Sequence, residues 1–156
     1  MLSEEYRRKL EYYIKNIPKR LYKPIEEVKF SGFFTYDRLT AEEAAAREIT
    51  PLADGTKWGK KWEYGWFFAE INIPQELKGK RVAFTANLGE GLVFVNGDIY
   101  GALDKEHSYI TLTRCADGSE KYEIAMEIYA GHDGLKYSLD QVHSRFVTCE
   151  SDLEEF

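Results

Sequence analysis

Leu92-Val93-Phe94-Val95-Asn96-Gly97-Asp98-Ile99-Tyr100 reads as two strands joined by a two-residue turn. Residues 92–95 are apolar on both faces, which predicts a central, buried strand. Asn-Gly directly after an apolar run is a strong hairpin signal, because both turn positions need positive φ. Outward from this hairpin the pattern continues. Residues 81–88 alternate, with Val82, Phe84, Ala86 and Leu88 on one face and Arg81, Ala83, Thr85 and Asn87 on the other, so a half-exposed strand is expected. Residues 121–129 alternate again, with Tyr122, Ile124, Met126 and Ile128 inward and Lys121, Glu123 and Glu127 outward. Further strands are expected at 28–36, at 62–73 ending before Pro74, at 108–113 and at 142–148, with turns at 76–79 and at Asp117-Gly118. Seven or so short strands with regularly spaced turn signals predict a mainly β fold, an antiparallel β-sandwich of jelly-roll type.

Two helices complete the pattern. Residues 3–17 carry an apolar stripe at Tyr6, Leu10, Tyr13, Ile14 and Ile17. Ser3 is placed to cap this helix, Glu4 and Glu5 suit the positive end of its dipole, and Pro18 is expected to end it. The stripe needs a surface to dock on, and both the body of the domain and a neighbouring domain fit. Thr40-Ala-Glu-Glu43 matches a capping box and opens a short second helix to about Arg47. Residues 50–61, with Pro51, Asp54-Gly55 and Gly59, read as loop. The expected division is a docking helix over 1–20 and a β-sandwich domain over 21–156.

Composition excludes several classes. The chain has 156 residues, 21 basic and 27 acidic, for a net charge of −6. A nucleic-acid face needs clustered Lys and Arg, so no nucleic-acid partner is expected. The acidic balance gives no membrane anchor, and there is no run of ~18 apolar residues to span a bilayer. The polar start, with no apolar run like a signal peptide, fits a cytoplasmic protein. Cys115 and Cys149 have no CxxC spacing and read as reduced thiols. The outlier is the aromatic content of 15%, which fits either a β-rich core or a ring-lined carbohydrate surface.

The order Trp62-Glu-Tyr-Gly-Trp66-Phe67, Ile71-Asn-Ile-Pro74, Gly79-Lys-Arg-Val82 and Leu92-Val-Phe-Val-Asn96-Gly97 resembles the sugar-binding, galactose-binding-like jelly roll that precedes the catalytic domains of large glycosidases. Trp58-Gly59-x-x-Trp62-x-x-x-Trp66-Phe67, Gly101-Ala-Leu-Asp104-x-x-His107 and Ala130-Gly131-His132 narrow it. Over about residues 28–150 the chain resembles the N-terminal domain of the cytosolic and vacuolar alpha-mannosidases of glycoside hydrolase family 38. The resemblance implies a parent that hydrolyses α-mannosides by a retaining, zinc-assisted mechanism. The GHxHxD-type zinc motif of that family's catalytic barrel does not occur in these residues, so zinc is expected in the absent catalytic domain and no cofactor in this chain. The catalytic domain of the same polypeptide is then the implied partner, with a homo-oligomer and a mannose-type sugar also open.

The residues themselves give no catalytic set. His107, His132 and His143 lack ligand spacing, so no metal site is expected. A glycosidase needs two carboxyls ~5–10 Å apart across a sugar, and Glu63, Glu70, Glu90, Asp98 and Asp104 are not paired by any pattern. No Gly-x-Ser-x-Gly elbow occurs, and Gly89-Glu-Gly91 opens no helix. The candidate residues lie instead in the aromatic loop. Read as extended chain, Trp62, Tyr64, Trp66 and Phe68 share one face, and Glu63, Gly65, Phe67, Ala69 and Ile71 the other. One set belongs to the core, and the other meets a neighbouring domain, a subunit or a sugar. The candidate carbohydrate or interface set is therefore Trp58, Trp62 and Trp66, with Asp104 and His107 along the same edge. The expected function is a non-catalytic domain that packs on the catalytic domain and aids assembly or shapes the sugar pocket. A free-standing carbohydrate-binding module is the alternative, and a small interaction protein docking through residues 3–17 is a third.

Overall fold

The computed structural model describes residues 3–53, 56–86, 88–104, 109–132 and 145–149. A helix, α1 (Glu4–Leu21), leads into β1 (Tyr22–Glu27) and β2 (Ser31–Thr35). A short helix, α2 (Ala41–Ala45), and a two-residue strand, β3 (Thr50–Pro51), precede β4 (Tyr64–Asn72). A single 3-10 turn, Gln75–Leu77, leads to β5 (Arg81–Thr85), β6 (Gly91–Val95), β7 (Asp98–Leu103), β8 (Ile110–Thr113), β9 (Lys121–Tyr129) and β10 (Arg145–Cys149). All pairings among the described residues are antiparallel. They build a four-stranded sheet, β1-β10-β5-β8, and a six-stranded sheet, β3-β2-β4-β9-β6-β7.

The sandwich core follows from the alternation. Val82 and Phe84 on β5 and Ile110 and Leu112 on β8 meet Phe67 and Ile71 on β4, Val93 and Val95 on β6, and Ile124, Met126 and Ile128 on β9 in one apolar cluster. The mainly β, antiparallel jelly-roll expectation therefore stands, with a leading helix and a short second one. The β6–β7 hairpin turns on Asn96 (φ 52°) and Gly97 (φ 87°), the doubly positive φ that the Asn-Gly pair requires.

Several details depart from the sequence reading. The first helix continues past Pro18 to Leu21. Pro18 falls in the last turn, where it forfeits one donor. Ile14, four residues back, is exposed, so water can satisfy the carbonyl left over. The described members of its stripe, Tyr6, Leu10 and Ile14, are exposed, so the body of the domain does not cover them. Tyr13 and Ile17 lie outside the described side chains. β1 contains Pro24 and is not among the strands expected from the sequence, yet it pairs with β10 as an edge strand, where a missing N–H is tolerated. Ala83 was expected on an exposed face but is buried, because β5 lies between β10 and β8. Leu92, expected in a buried strand, is exposed on the same face as buried Phe94, because the cover over that face reaches only Phe94.

That cover is a second, smaller core on the outer face of the six-stranded sheet. Trp66 and Phe94 pack with Ala44 of α2, flanked by Phe33, Leu39, Ala41, Phe68 and Ala125. The capping box forms as the sequence reads. The Glu43 N–H donates to Thr40 Oγ1 at 3.1 Å, and the Thr40 N–H to Glu43 Oε2 at 3.4 Å. The cap thus fixes a helix too short to persist alone over one part of the sheet face, and among the described residues Leu92 and Tyr129 on the same face remain exposed.

Candidate functional site

The exposed part of this face begins, among the described residues, at the turn before β4. The extended reading of residues 62 and 63 does not hold, because Trp62 sits in a turn with φ 68°. For a bulky residue this left-handed conformation costs roughly 1–2 kcal/mol, so the surroundings must hold it. The Trp62 N–H donates to the Gly131 carbonyl at 2.9 Å and the Glu63 N–H to the Lys60 carbonyl at 3.0 Å. The Ala130 N–H closes the other side on the Glu63 carbonyl at 2.9 Å. Glu63 itself is buried, and its Oε1 accepts the N–H of Gly59 at 2.8 Å and of Lys60 at 3.3 Å.

The turn displays an aromatic row. The Trp62 ring, 48% exposed, stacks on Tyr129 with centroids 6.5 Å apart, and Tyr129 stacks on Tyr64 at 4.4 Å. Tyr64 and Tyr129 are direct cross-strand partners between β4 and β9, a pairing that favours ring contact. His132 stands perpendicular to the Trp62 ring at 5.2 Å, and Lys61 Nζ lies 5.5 Å from its centroid. Two residues inward on β9, Glu127 pairs with Trp66 on one side and Leu92 on the other. Partial burial pushes its carboxyl above the usual range, and the Arg38 guanidinium pulls it back only in part.

The remaining candidates lie elsewhere. Trp58 is 6% exposed, stacked on Phe34 at 5.4 Å and edge-on to Phe67 at 5.2 Å inside the main core. Gly65 makes room for it, since a Cβ there would meet Trp58 Cζ3 and Phe67 Cε2 at 2.7 Å each. Trp66 is fully buried in the smaller core, on the opposite face of the same sheet. Neither indole N–H finds an acceptor. Asp104 is half-buried just beyond β7, and His107 lies outside the described residues, as does His143. The three tryptophans of the motif thus separate into two interior anchors and one displayed ring. Tyr129, Lys61 and His132 complete the surface around that ring. Tyr129 closes the 121–129 strand and is given no face in the sequence reading, and its place beside Trp62 depends on a strand register that sequence spacing does not give.

Among the described residues no three His, Cys, Asp or Glu side chains converge as metal ligands. No helix among them is long and apolar enough to cross a membrane.

Comparison with known proteins places this framework. Residues 23–135, more than half of the chain, match the family described as the alpha-mannosidase jelly roll domain, Ams1-like first domain. Alpha-mannosidase 2C1 of Homo sapiens is 34% identical over 91 residues, which are 56% of this chain and 9% of that protein. Alpha-mannosidase 2C1 of Mus musculus is 33% identical over 92 residues, 58% of this chain and again 9% of the relative. The matched stretch spans about a tenth of the length of these curated relatives.

Proposed function

Because the chain belongs to the alpha-mannosidase jelly-roll family, we propose that it is a non-catalytic accessory domain of a cytoplasmic enzyme that hydrolyses α-mannosides. Its role is to pack on the catalytic portion of the same polypeptide and to aid assembly or shape the sugar pocket. The observation that carries this reading is the family match over residues 23–135, which takes in strands of both sheets. The zinc and the acid and nucleophile of a retaining mechanism would belong to the catalytic portion. Residues 1–20 act in this reading as a separate docking helix, because the exposed Tyr6, Leu10 and Ile14 ask for a partner surface that the sandwich does not supply. Residues 21–156 form the sandwich domain.

Two measurements test this. The coding sequence beyond codon 156 is read, and the 156-residue chain and the polypeptide its gene encodes are assayed on an aryl α-mannoside. The expected result is a frame that continues into a zinc-binding catalytic region, with hydrolysis by the whole polypeptide and none by the isolated chain. A stop codon after Phe156, or hydrolysis by the isolated chain, overturns the reading.

A further inference from the structure

We propose that the Trp62 turn is a docking anchor that inserts its indole into an apolar pocket rimmed by acidic side chains on the remaining part of the alpha-mannosidase polypeptide. This rests on the accessory-domain reading and adds the contact surface and the chemistry of what it meets.

The backbone supplies the first argument. A bulky side chain in the left-handed region is a strained choice where Gly or Asn would sit freely. Here the strain is held in place by a buried carboxylate and three backbone hydrogen bonds. The side chain so presented is not packed away; Trp62 is about half exposed, while Trp58 and Trp66, four residues to either side, are interior. Its intrachain contacts are with the side chains of Tyr129, His132 and Lys61 and leave half the ring in water, and an exposed indole flanked by tyrosines is the composition of an interface hot spot.

The neighbours of the ring decide the class of partner. A pyranose stacks its C–H face on an unobstructed ring, but Tyr129, His132 and Lys61 of the same chain already lie against Trp62. What remains is suited to entering a pocket. Charge narrows the choice again. The chain carries a net charge of −6, yet residues 56–62 hold Lys57, Lys60 and Lys61, all exposed, and no acidic residue. Glu63, the acid that follows them, is buried, and Asp54, the acid that precedes them, lies outside the described residues. A second copy meeting this turn across a two-fold axis would set lysines against lysines, which is unfavourable. An acidic rim around an apolar pocket complements it. The matched relatives extend about tenfold beyond the matched stretch, so the rest of the polypeptide is the surface available in every molecule.

The test uses the polypeptide as its own gene encodes it. The photoreactive p-benzoylphenylalanine is placed at position 62, the sample is irradiated, and the cross-linked peptides are identified by mass spectrometry. The expected product joins position 62 to a peptide outside residues 1–156 with Asp or Glu close by. Its yield falls several-fold when Lys57→Glu, Lys60→Glu and Lys61→Glu are combined, and again when salt shortens the Debye length from about 10 Å to about 3 Å. Trp62→Asn, which suits the left-handed turn, speeds proteolytic release of the jelly roll while leaving its own circular dichroism unchanged. Cross-links only within residues 1–156 or to a second copy, no cross-link, or a yield indifferent to charge reversal overturns the proposal. Protection of position 62 by methyl α-mannoside would make it a sugar site and overturn the proposal too. A polypeptide whose mass ends at Phe156, or which does not hydrolyse α-mannosides, instead fails the accessory-domain reading. Hydrolysis with no cross-link from position 62 fails the docking proposal alone.

Discussion

Glu63 Oε1 accepts the Gly59 N–H at 2.8 Å inside a buried turn, and with the longer bond from the Lys60 N–H at 3.3 Å this contact ties the interior Trp58 to the displayed Trp62. The two tryptophans flank one short loop, and the carboxylate closes it from within. Removing the carboxylate strands a buried donor at Gly59, and leaving such a group unsatisfied costs about 1–3 kcal/mol. Glu63→Ala is therefore expected to lower stability by that amount, and Glu63→Gln by less, because its amide oxygen keeps the acceptor. Urea midpoints of the two variants check this. Equal losses in both would show that the hydrogen bond is not what holds the loop.

The three tryptophans share a motif and differ in energy. Trp66 is sealed under α2 against Phe94 and Phe68, with ring centroids 5.9 and 6.2 Å away. Trp66→Ala is expected to cost about 3–5 kcal/mol, the usual range for emptying a buried aromatic site. Trp62→Asn loses exposed ring contacts but relieves the left-handed strain of roughly 1–2 kcal/mol, so its stability stays within about 1 kcal/mol of wild type. Denaturation curves for the pair give the comparison. A Trp62→Asn loss as large as that of Trp66→Ala would make residue 62 structural.

This difference marks the limit of what the sequence tells. The strands around Asn96-Gly97, Val82–Phe84 and Ile124–Ile128 are legible because side-chain alternation and turn residues act locally. β1 is not, since Pro24 and a polar run give no strand signal and only pairing with β10 makes it one. The tryptophan loop fails differently. Its residues were identified, but four-residue spacing says nothing of a turn with φ 68° at Trp62, nor of a register that sets Tyr129 beside Tyr64. Those follow from contacts between segments more than 60 residues apart in sequence.

Thr40 controls the cover over Trp66. Its hydroxyl and the Glu43 carboxylate satisfy two N-terminal donors of a five-residue helix, and losing such a cap costs about 1 kcal/mol. In a helix this short the loss falls on local order, so Thr40→Ala is expected to loosen α2 before it unfolds the sandwich. Acrylamide quenching of Trp fluorescence reads this directly in a Trp62→Asn background, where the remaining indoles are buried. Quenching is expected to rise with little change in the urea midpoint. Unchanged quenching would mean that α2 is held by Ala44 packing alone.

Glu127 gives a pH signature for the same sheet face. Its carboxyl is held above the ordinary Glu value of 4.5 by burial, so the folded protein keeps this proton to higher pH than the unfolded chain does. Where the native state binds more protons, stability falls as pH rises. The contribution of Glu127 is thus most favourable below the ordinary value and is lost as pH climbs through the raised one. Glu127→Gln stays neutral throughout and removes that slope. It is expected to match wild type in acid and to equal or exceed it at neutral pH, while Arg38→Met, which deletes the cation that favours the charged form, steepens the decline. Urea midpoints from about pH 4 to about pH 7.5, with the carboxyl titration followed by NMR, check both. A Glu127→Gln protein less stable than wild type only at neutral pH would mean that the ionised carboxylate has a partner stronger than Arg38, and the burial account of this residue would fall.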